Sequence, residues 1–242
     1  MGNEPGNNIM VKRTSARNSV AGERSFKEGR VKEIESVSKL PYEWRDDFAL
    51  ASYFSEESNN LVKDKVIAPL EQVCQDLGMK YLWAGETFPI HVTFISGNKQ
   101  DEGGKMIHGT ETTTKEYEAV KNDPALNGEI EKIKGLTFTF KDLLIVGDNI
   151  ILTAREIPEA VTKFRKEAEK IEKNYGLIPR PRYEILHITI GRVHELPKEE
   201  KVREEFVRAF REIRRKIRNE PLILNTEGFF NGRNIMGIPE DN

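Results

Sequence analysis

Two short segments with the same pattern constrain the fold of this chain more than any other feature. Both are predicted to be β-strands, because β-branched and aromatic residues crowd them and a glycine closes each. The segments are residues 88–97, ending at Gly97, and residues 183–190, followed by Gly191. Successive side chains of a strand point to opposite faces, so apolar residues take one face of each segment. The other faces carry His91 with Thr93 and His187 with Thr189.

The elements around these two segments occur in the same order twice: a strand, a helix and then a histidine strand. Helices are predicted over residues 55–77, 158–175 and 197–219, because apolar side chains recur there at helical spacing. Pro69 lies inside the first helix, where we expect a kink or a break. Further strands are predicted at residues 48–54, 81–83, 136–140, 143–146, 149–154, 222–224 and 229–230. The class is therefore α+β, with mainly antiparallel sheets and helices packed on their outer faces.

The chain is predicted to form one domain behind a polar arm. Residues 1–40 contain few apolar side chains, which predicts a flexible N-terminal arm with at most a short helix over 27–40. A basic arm that touches nucleic-acid phosphates is the alternative. Residues 41–242 form the predicted domain, and a polar insertion near 98–134 holds one or two short helices over 115–133.

Composition excludes several classes of protein. The formal net charge of −2 is incompatible with a globally basic nucleic-acid coat, although 38 Lys and Arg leave room for a local basic patch. Cys74 is the one cysteine, so an internal disulfide or a cysteine-based metal site cannot form, which fits a reducing cytoplasm. No apolar run approaches the roughly 18 residues of a membrane span. We therefore expect a cytoplasmic protein with no membrane partner.

Two histidines beside two threonines are suited to chemistry at phosphorus. One imidazole takes a proton while the other gives one back, so the pair supplies a general base and a general acid. The threonine hydroxyls can donate hydrogen bonds to phosphoryl oxygens and stabilise the charge that develops there. A strained 2′,3′-cyclic phosphate needs no metal for this reaction. No Asp, Glu or Cys stands at a familiar ligand spacing from either strand, so we predict no metal and no cofactor.

The motifs His91-Val92-Thr93-Phe94 and His187-Ile188-Thr189-Ile190 resemble the paired His-x-Thr/Ser motifs of the 2H phosphoesterase superfamily. The resemblance is strongest to the branch of RNA 2′,3′-cyclic phosphodiesterases and 2′,5′-RNA ligase-like proteins. It implies a bilobed, duplicated fold with both motifs in a central cleft, His91 and His187 as the catalytic pair, and Thr93 and Thr189 as phosphate ligands. Leu186 departs from the proline that many relatives have before the second histidine.

Other side chains near the motifs are candidates for substrate contacts. Arg192 is the first choice for a cation on the phosphate, in line with the arginine that this branch commonly has there, and Arg180 and Arg182 are further choices. Tyr183, Tyr53 and Trp83 are candidates to stack on a base. Ordinary surface or core positions are the alternative for each of them. The arginine-rich end of helix 197–219 is interpreted as a solvated face, with an RNA-steering patch as the alternative.

The sequence thus predicts a phosphodiesterase that hydrolyses a 2′,3′-cyclic phosphate or related phosphodiester by two-histidine acid/base catalysis. Its partner is RNA or a small nucleotide, and no obligate protein partner is evident. Two alternatives stay open: a hydrolase of cyclic dinucleotides or 2′,5′ linkages, and a non-catalytic nucleotide- or RNA-binding module on the same fold.

Overall fold

A computed structural model describes residues 20–31, 48–98, 111–154, 156–180 and 185–233. The strands are β1 (Phe48–Phe54), β2 (Lys80–Trp83), β3 (His91–Asn98), β4 (Thr137–Val146), β5 (Asn149–Ala154), β6 (Ile178–Arg180), β7 (His187–Glu195) and β8 (Leu222–Arg233). The helices are α1 (20–27), α2 (Glu56–Val62), α3 (Ala68–Asp76), α4 (Glu111–Lys121), α5 (Pro124–Glu131), α6 (Glu159–Asn174) and α7 (Glu200–Asn219). A π-helical segment, Lys63–Ile67, joins α2 to α3. The mixture of helices and antiparallel strands confirms the α+β class.

One strand joins two halves of the sheet. The strand order is β2-β7-β5-β4-β8-β1-β3-β6, and the paired strands run antiparallel. The first residues of β8 pair with β4, and its later residues, from Thr226 on, pair with β1. Each half therefore contains one histidine strand, β3 or β7. These two strands contact each other although β5, β4, β8 and β1 lie between them in the order, so the sheet folds over on itself.

Helices cover the two halves with aromatic side chains. On the first half, which contains β3, Phe164 of α6 meets Phe94 edge-on with ring centroids 5.9 Å apart. On the second half, which contains β7, Phe206 of α7 stacks on Tyr81 of β2 with ring centroids 5.8 Å apart. These rings are almost entirely buried, and burying an aromatic side chain contributes about 2 to 3 kcal/mol to stability. The core thus holds the helices on the faces that carry Phe94 and Tyr81.

The break expected at Pro69 takes the form of the π-helical segment. Ser55 caps α2, since its hydroxyl accepts from the backbone N–H of Ser58. A proline ring collides with the carbonyl four residues earlier, here that of Lys65. The backbone N–H of Ala68 instead reaches Lys63, five residues back, so the hydrogen-bond ladder shifts by one residue ahead of the proline.

Several strand boundaries differ from those predicted. The histidine strands begin at His91 and His187 rather than at residues 88 and 183, and both continue past their glycines. Gly191 lies inside β7. A glycine is needed there because a Cβ would be 2.7 Å from the Trp83 ring. The segments predicted at 136–140 and 143–146 form one strand, β4, and those at 222–224 and 229–230 form one strand, β8. Register shifts interrupt the pairing of both strands. At such a shift apolar and polar residues stop alternating, so the sequence pattern does not show that each strand is continuous.

The prediction of a flexible N-terminal arm is wrong for residues 20–31. Residues 20–27 form α1, and the Phe26 ring is fully buried against Phe206 at 4.9 Å. The Glu23 carboxylate accepts hydrogen bonds from Arg211 and Arg214 of α7 at 2.7 and 3.2 Å. One buried aromatic ring and one paired acid are enough to dock a short polar helix. The rest of the predicted arm, residues 1–19 and 32–40, lies outside the described residues.

The polar insertion contains α4 and α5, as predicted, and residues 99–110 of it lie outside the described residues. Asp123 caps α5 by accepting from the backbone N–H groups of Ala125 and Leu126. In the part of the chain that the structure describes, no helix combines the length and the apolar character that crossing a bilayer requires.

Candidate active site

The first His-x-Thr pair lies on a face of β3 that points away from α6. His91 and Thr93 alternate with Val92 and Phe94, and Phe94 packs on that helix. His91 is 9 % exposed and Thr93 is 8 % exposed, so the pair is largely shielded from water. On the neighbouring strand β1, Tyr53 lies opposite His91. Residues directly opposite each other in an antiparallel pair share a face, with Cβ atoms about 5 Å apart.

The second pair is built in the same way on β7. His187 and Thr189 are partly buried and alternate with Ile188 and Ile190, which are fully buried. On β5, Thr153 lies opposite His187 and Ile151 lies opposite Thr189. The Thr153 hydroxyl donates to the carbonyl of Asp142 on β4 at 3.2 Å. Each histidine therefore has one specific neighbour across the sheet.

The fold brings the strands of the two pairs together. β3 and β7 contact each other, and helices cover the opposite faces of their half-sheets. The remaining two faces, which carry His91 with Thr93 and His187 with Thr189, border the space between the halves. We infer that the two pairs line one cleft, as the resemblance implies.

A backbone contact sets the protonation pattern of His91. Its Nδ1 lies 2.9 Å from the carbonyl oxygen of Pro89. A carbonyl only accepts hydrogen bonds, so Nδ1 carries the proton in this contact. In the neutral ring the lone pair then belongs to Nε2, which is the nitrogen that can take a proton from a substrate or from water. This contact orients the ring for acid/base chemistry.

Arg192 forms an ion pair within the chain, and its role as a phosphate ligand stays a prediction. It pairs with Asn149 on β5, four residues from Thr153, or about 13 Å along the strand. Its Nη1 donates to Asp148 Oδ2 at 3.0 Å in the β4–β5 turn. Both side chains are about nine-tenths buried. The guanidinium thus balances a buried carboxylate.

The other candidate contacts divide into three groups. Tyr53 is half-buried opposite His91, and burial raises the pKa of its phenol above the ordinary value. Trp83 is 4 % exposed and stacks on Tyr81 with centroids 5.0 Å apart, so it is a core residue and not a base platform. Tyr183 and Arg182 lie outside the described residues, as does the side chain of Arg180.

The arginine-rich end of α7 forms ion pairs within the chain. Arg214 and Arg218 both donate to the Asp142 carboxylate, at 2.6 and 2.7 Å. Arg211 and Arg214 contact Glu23, and Arg215 pairs with Glu212. These contacts support the interpretation of a structural face over that of an RNA-steering patch.

Sequence analysis missed Thr153 and the pairing of Tyr53 with His91. Both depend on which residues lie opposite each other across the sheet, and a register shift lies close to each site. No local pattern signals such a register. Among the described residues, no three His, Cys, Asp or Glu side chains converge in a way that could hold a metal ion.

A model of the LigT-like phosphoesterase family matches residues 151–234, a range that contains β7 and the second His-x-Thr pair. The match supports the assignment of the chain to the 2H phosphoesterase superfamily, which the paired motifs predicted. No curated protein matches the chain.

Three solved structures resemble the chain at low identity. The MHV ns2 PDE domain is 12 % identical, with a TM-score of 0.40, over 62 % of this chain and 85 % of that one. A phosphoesterase is 13 % identical, with a TM-score of 0.41, over 64 % and 77 %. Usb1 of Kluyveromyces marxianus is 14 % identical, with a TM-score of 0.38, over 74 % and 85 %.

Proposed function

On the premise that the chain is a 2H phosphoesterase, we propose that it is a metal-independent phosphodiesterase acting on a 2′,3′-cyclic phosphate or related phosphodiester of RNA or a nucleotide. The observation that carries the proposal is the contact between β3 and β7. It supports the proposal because each of these two strands carries one His-x-Thr pair, so that one imidazole and one hydroxyl come from each half of the sheet.

The proposed reaction moves one proton at each histidine. One imidazole takes a proton from water as the water oxygen bonds to phosphorus. The bond from phosphorus to the 2′ or 3′ oxygen breaks, and the other imidazolium protonates that oxygen. Thr93 and Thr189 donate to the phosphoryl oxygens, whose negative charge grows in the transition state. The shielding of His91 and Thr93 strengthens these interactions, because water screens them less.

The decisive variants are His91→Ala and His187→Ala, each measured on a panel of cyclic mononucleotides, cyclic dinucleotides and 2′,3′-cyclic-ended RNA. Each variant should lower kcat by two orders of magnitude or more, since general acid/base catalysis contributes about 10²- to 10⁴-fold. Thermal unfolding checks that the variants fold. His194→Ala is a matched control on the same strand, and its rate should equal that of the wild type.

The panel also separates the proposal from its alternatives. Hydrolysis of cyclic dinucleotides alone would establish the signalling-nucleotide alternative. Binding of a cyclic nucleotide without product would establish the non-catalytic module. Activity should persist in EDTA, and its loss on chelation would overturn the metal-independent mechanism.

A further inference from the structure

The two half-sites of the cleft differ at the position opposite the histidine. Across the sheet from His91 stands Tyr53, whereas across from His187 stands Thr153. The two positions are equivalent, because each is the residue on the neighbouring strand directly opposite the histidine. One half therefore presents an aromatic ring beside its histidine, and the other presents a methyl and a hydroxyl group.

The residue beside Tyr53 on the neighbouring strand β8 has no side chain. Gly228 of β8 lies beside the Tyr53 ring, and a Cβ at that glycine would be 3.4 Å from Tyr53 Cδ2. A side chain at this position would pack along the ring and cover it. The glycine backbone is also fixed in place, since the Ser52 hydroxyl donates to its carbonyl at 2.5 Å. No side chain from this position of β8 therefore covers the ring.

The Tyr53 ring is half-buried on β1. Its phenol is neutral at physiological pH, since the ordinary pKa of tyrosine is about 10 and burial raises it further. A neutral aromatic ring does not repel a phosphate, and it stacks on any nucleobase through its face. Thr153 offers no such surface, and its hydroxyl is already donated to the Asp142 carbonyl.

We propose that Tyr53 is the base-binding residue of the site, so that the nucleoside carrying the phosphate lies on the His91 side of the cleft. This inference rests on the proposed function and adds to it an orientation. The site then requires a nucleobase next to the phosphate on one side and tolerates a varied group on the side of His187 and Thr153.

The test compares a substrate that has a base with one that lacks it: uridine 2′,3′-cyclic phosphate and methyl β-D-riboside 2′,3′-cyclic phosphate. Tyr53→Ala should lower kcat/KM for the uridine substrate by about tenfold or more, as expected for loss of base stacking. It should leave the methyl riboside within about twofold. Tyr53→Phe keeps the ring and should retain most of the wild-type preference for the base.

A second variant covers the ring rather than removing it. Gly228→Leu places a side chain along Tyr53 and should produce the same selective loss, mainly in KM. Thr153→Ala is the matched control at the equivalent position, and it should not change the ratio of kcat/KM for the two substrates. Thermal unfolding of each variant reports whether it folds.

The outcomes separate this inference from the proposed function. If Tyr53→Ala lowers both substrates equally, or Thr153→Ala changes the ratio instead, the orientation is overturned while the phosphodiesterase stands. If the wild type hydrolyses neither substrate, equilibrium binding of uridine 3′-monophosphate and of methyl riboside 3-phosphate decides. Weaker binding of only the uridine ligand to Tyr53→Ala would support the base site, and equal binding would overturn it.

Discussion

At the scale of single residues, local alternation predicted which side chains share a face, and the structure determines which side chains meet. His91 and Thr93 lie on the opposite face of β3 from Val92 and Phe94, as expected for a strand. The partners of these residues across the sheet depend on register, which is set by contacts between distant parts of the chain. Tyr53 and Thr153 are therefore visible only in the fold.

Arg192 illustrates how position along a strand decides a role. Arg192→Met should cost about 3 kcal/mol or more of unfolding free energy, because it leaves the Asp148 carboxylate buried without its cation. The KM for substrate should stay near that of the wild type if the guanidinium serves only Asp148, to which its Nη1 donates. Urea denaturation and steady-state kinetics measure the two quantities.

The double variant Arg192→Met with Asp148→Ala is the control for this prediction. It removes both charges, so it should recover part of the lost stability. A large rise in KM for Arg192→Met with unchanged stability would instead support the prediction of Arg192 as a phosphate ligand.

At the scale of elements, helices were predicted more accurately than strands. The third helix, predicted over 197–219, spans Glu200–Asn219, because its apolar spacing is uninterrupted. The strands β4 and β8 were each split in two, because register shifts break the alternation by which strands are recognised. The helix α1 was missed, since few of its side chains are apolar and its stability comes from contacts with α7.

Gly22 decides whether α1 can dock on β4. A Cβ at Gly22 would lie 1.7 Å from the carbonyl oxygen of Ile145. Gly22→Ala should therefore displace the helix and lower the unfolding free energy by about 1 to 3 kcal/mol. Gly128→Ala is the matched control, because Gly128 is in α5 and a Cβ there meets nothing within 4 Å. The control should be neutral or stabilising by up to about 1 kcal/mol. Chemical denaturation compares the two, and equal effects would contradict the close approach.

Asp142 links α7 to the sheet in a pH-dependent way. Burial tends to raise its pKa, but hydrogen bonds and attraction from Arg214 and Arg218 outweigh this and lower it. A lowered pKa means that the contribution to stability is present above the unfolded value of about 4 and is lost as the pH falls through the folded value.

The variant Asp142→Asn should accordingly be less stable than the wild type at pH 7. The difference should shrink below about pH 4, where the wild-type carboxylate also becomes protonated. Thermal unfolding between pH 3 and pH 7 tests this, and a gap that does not change with pH would contradict the ion pairs.

At the scale of the whole molecule, the duplication predicted from two His-x-Thr strands corresponds to two halves of one sheet. The sequence could not show that a single strand, β8, belongs to both halves, because the change of partner occurs within a continuous strand. This sharing makes the two halves depend on each other.

We expect the molecule to unfold in one cooperative transition. In a Trp44→Phe variant, Trp83 is the only tryptophan, and its fluorescence reports on β2 in the second half. Hydrogen exchange of backbone amides in β3 reports on the first half. Both should give the same free energy of unfolding, because β8 supplies paired residues to both halves and each half depends on that strand. Two separate transitions would contradict this.

The position of β8 in the chain also affects when the fold can form during synthesis. β8 lies between β4 and β1 in the sheet, yet it comes last in sequence among the eight strands of the described residues. A ribosome therefore releases seven of the eight strands before the strand that joins the halves has emerged. Until then β1 and β4 each expose an unpaired edge, and such edges pair readily with other chains. The nascent chain is thus most exposed to misassembly in the interval just before its final strand leaves the ribosome.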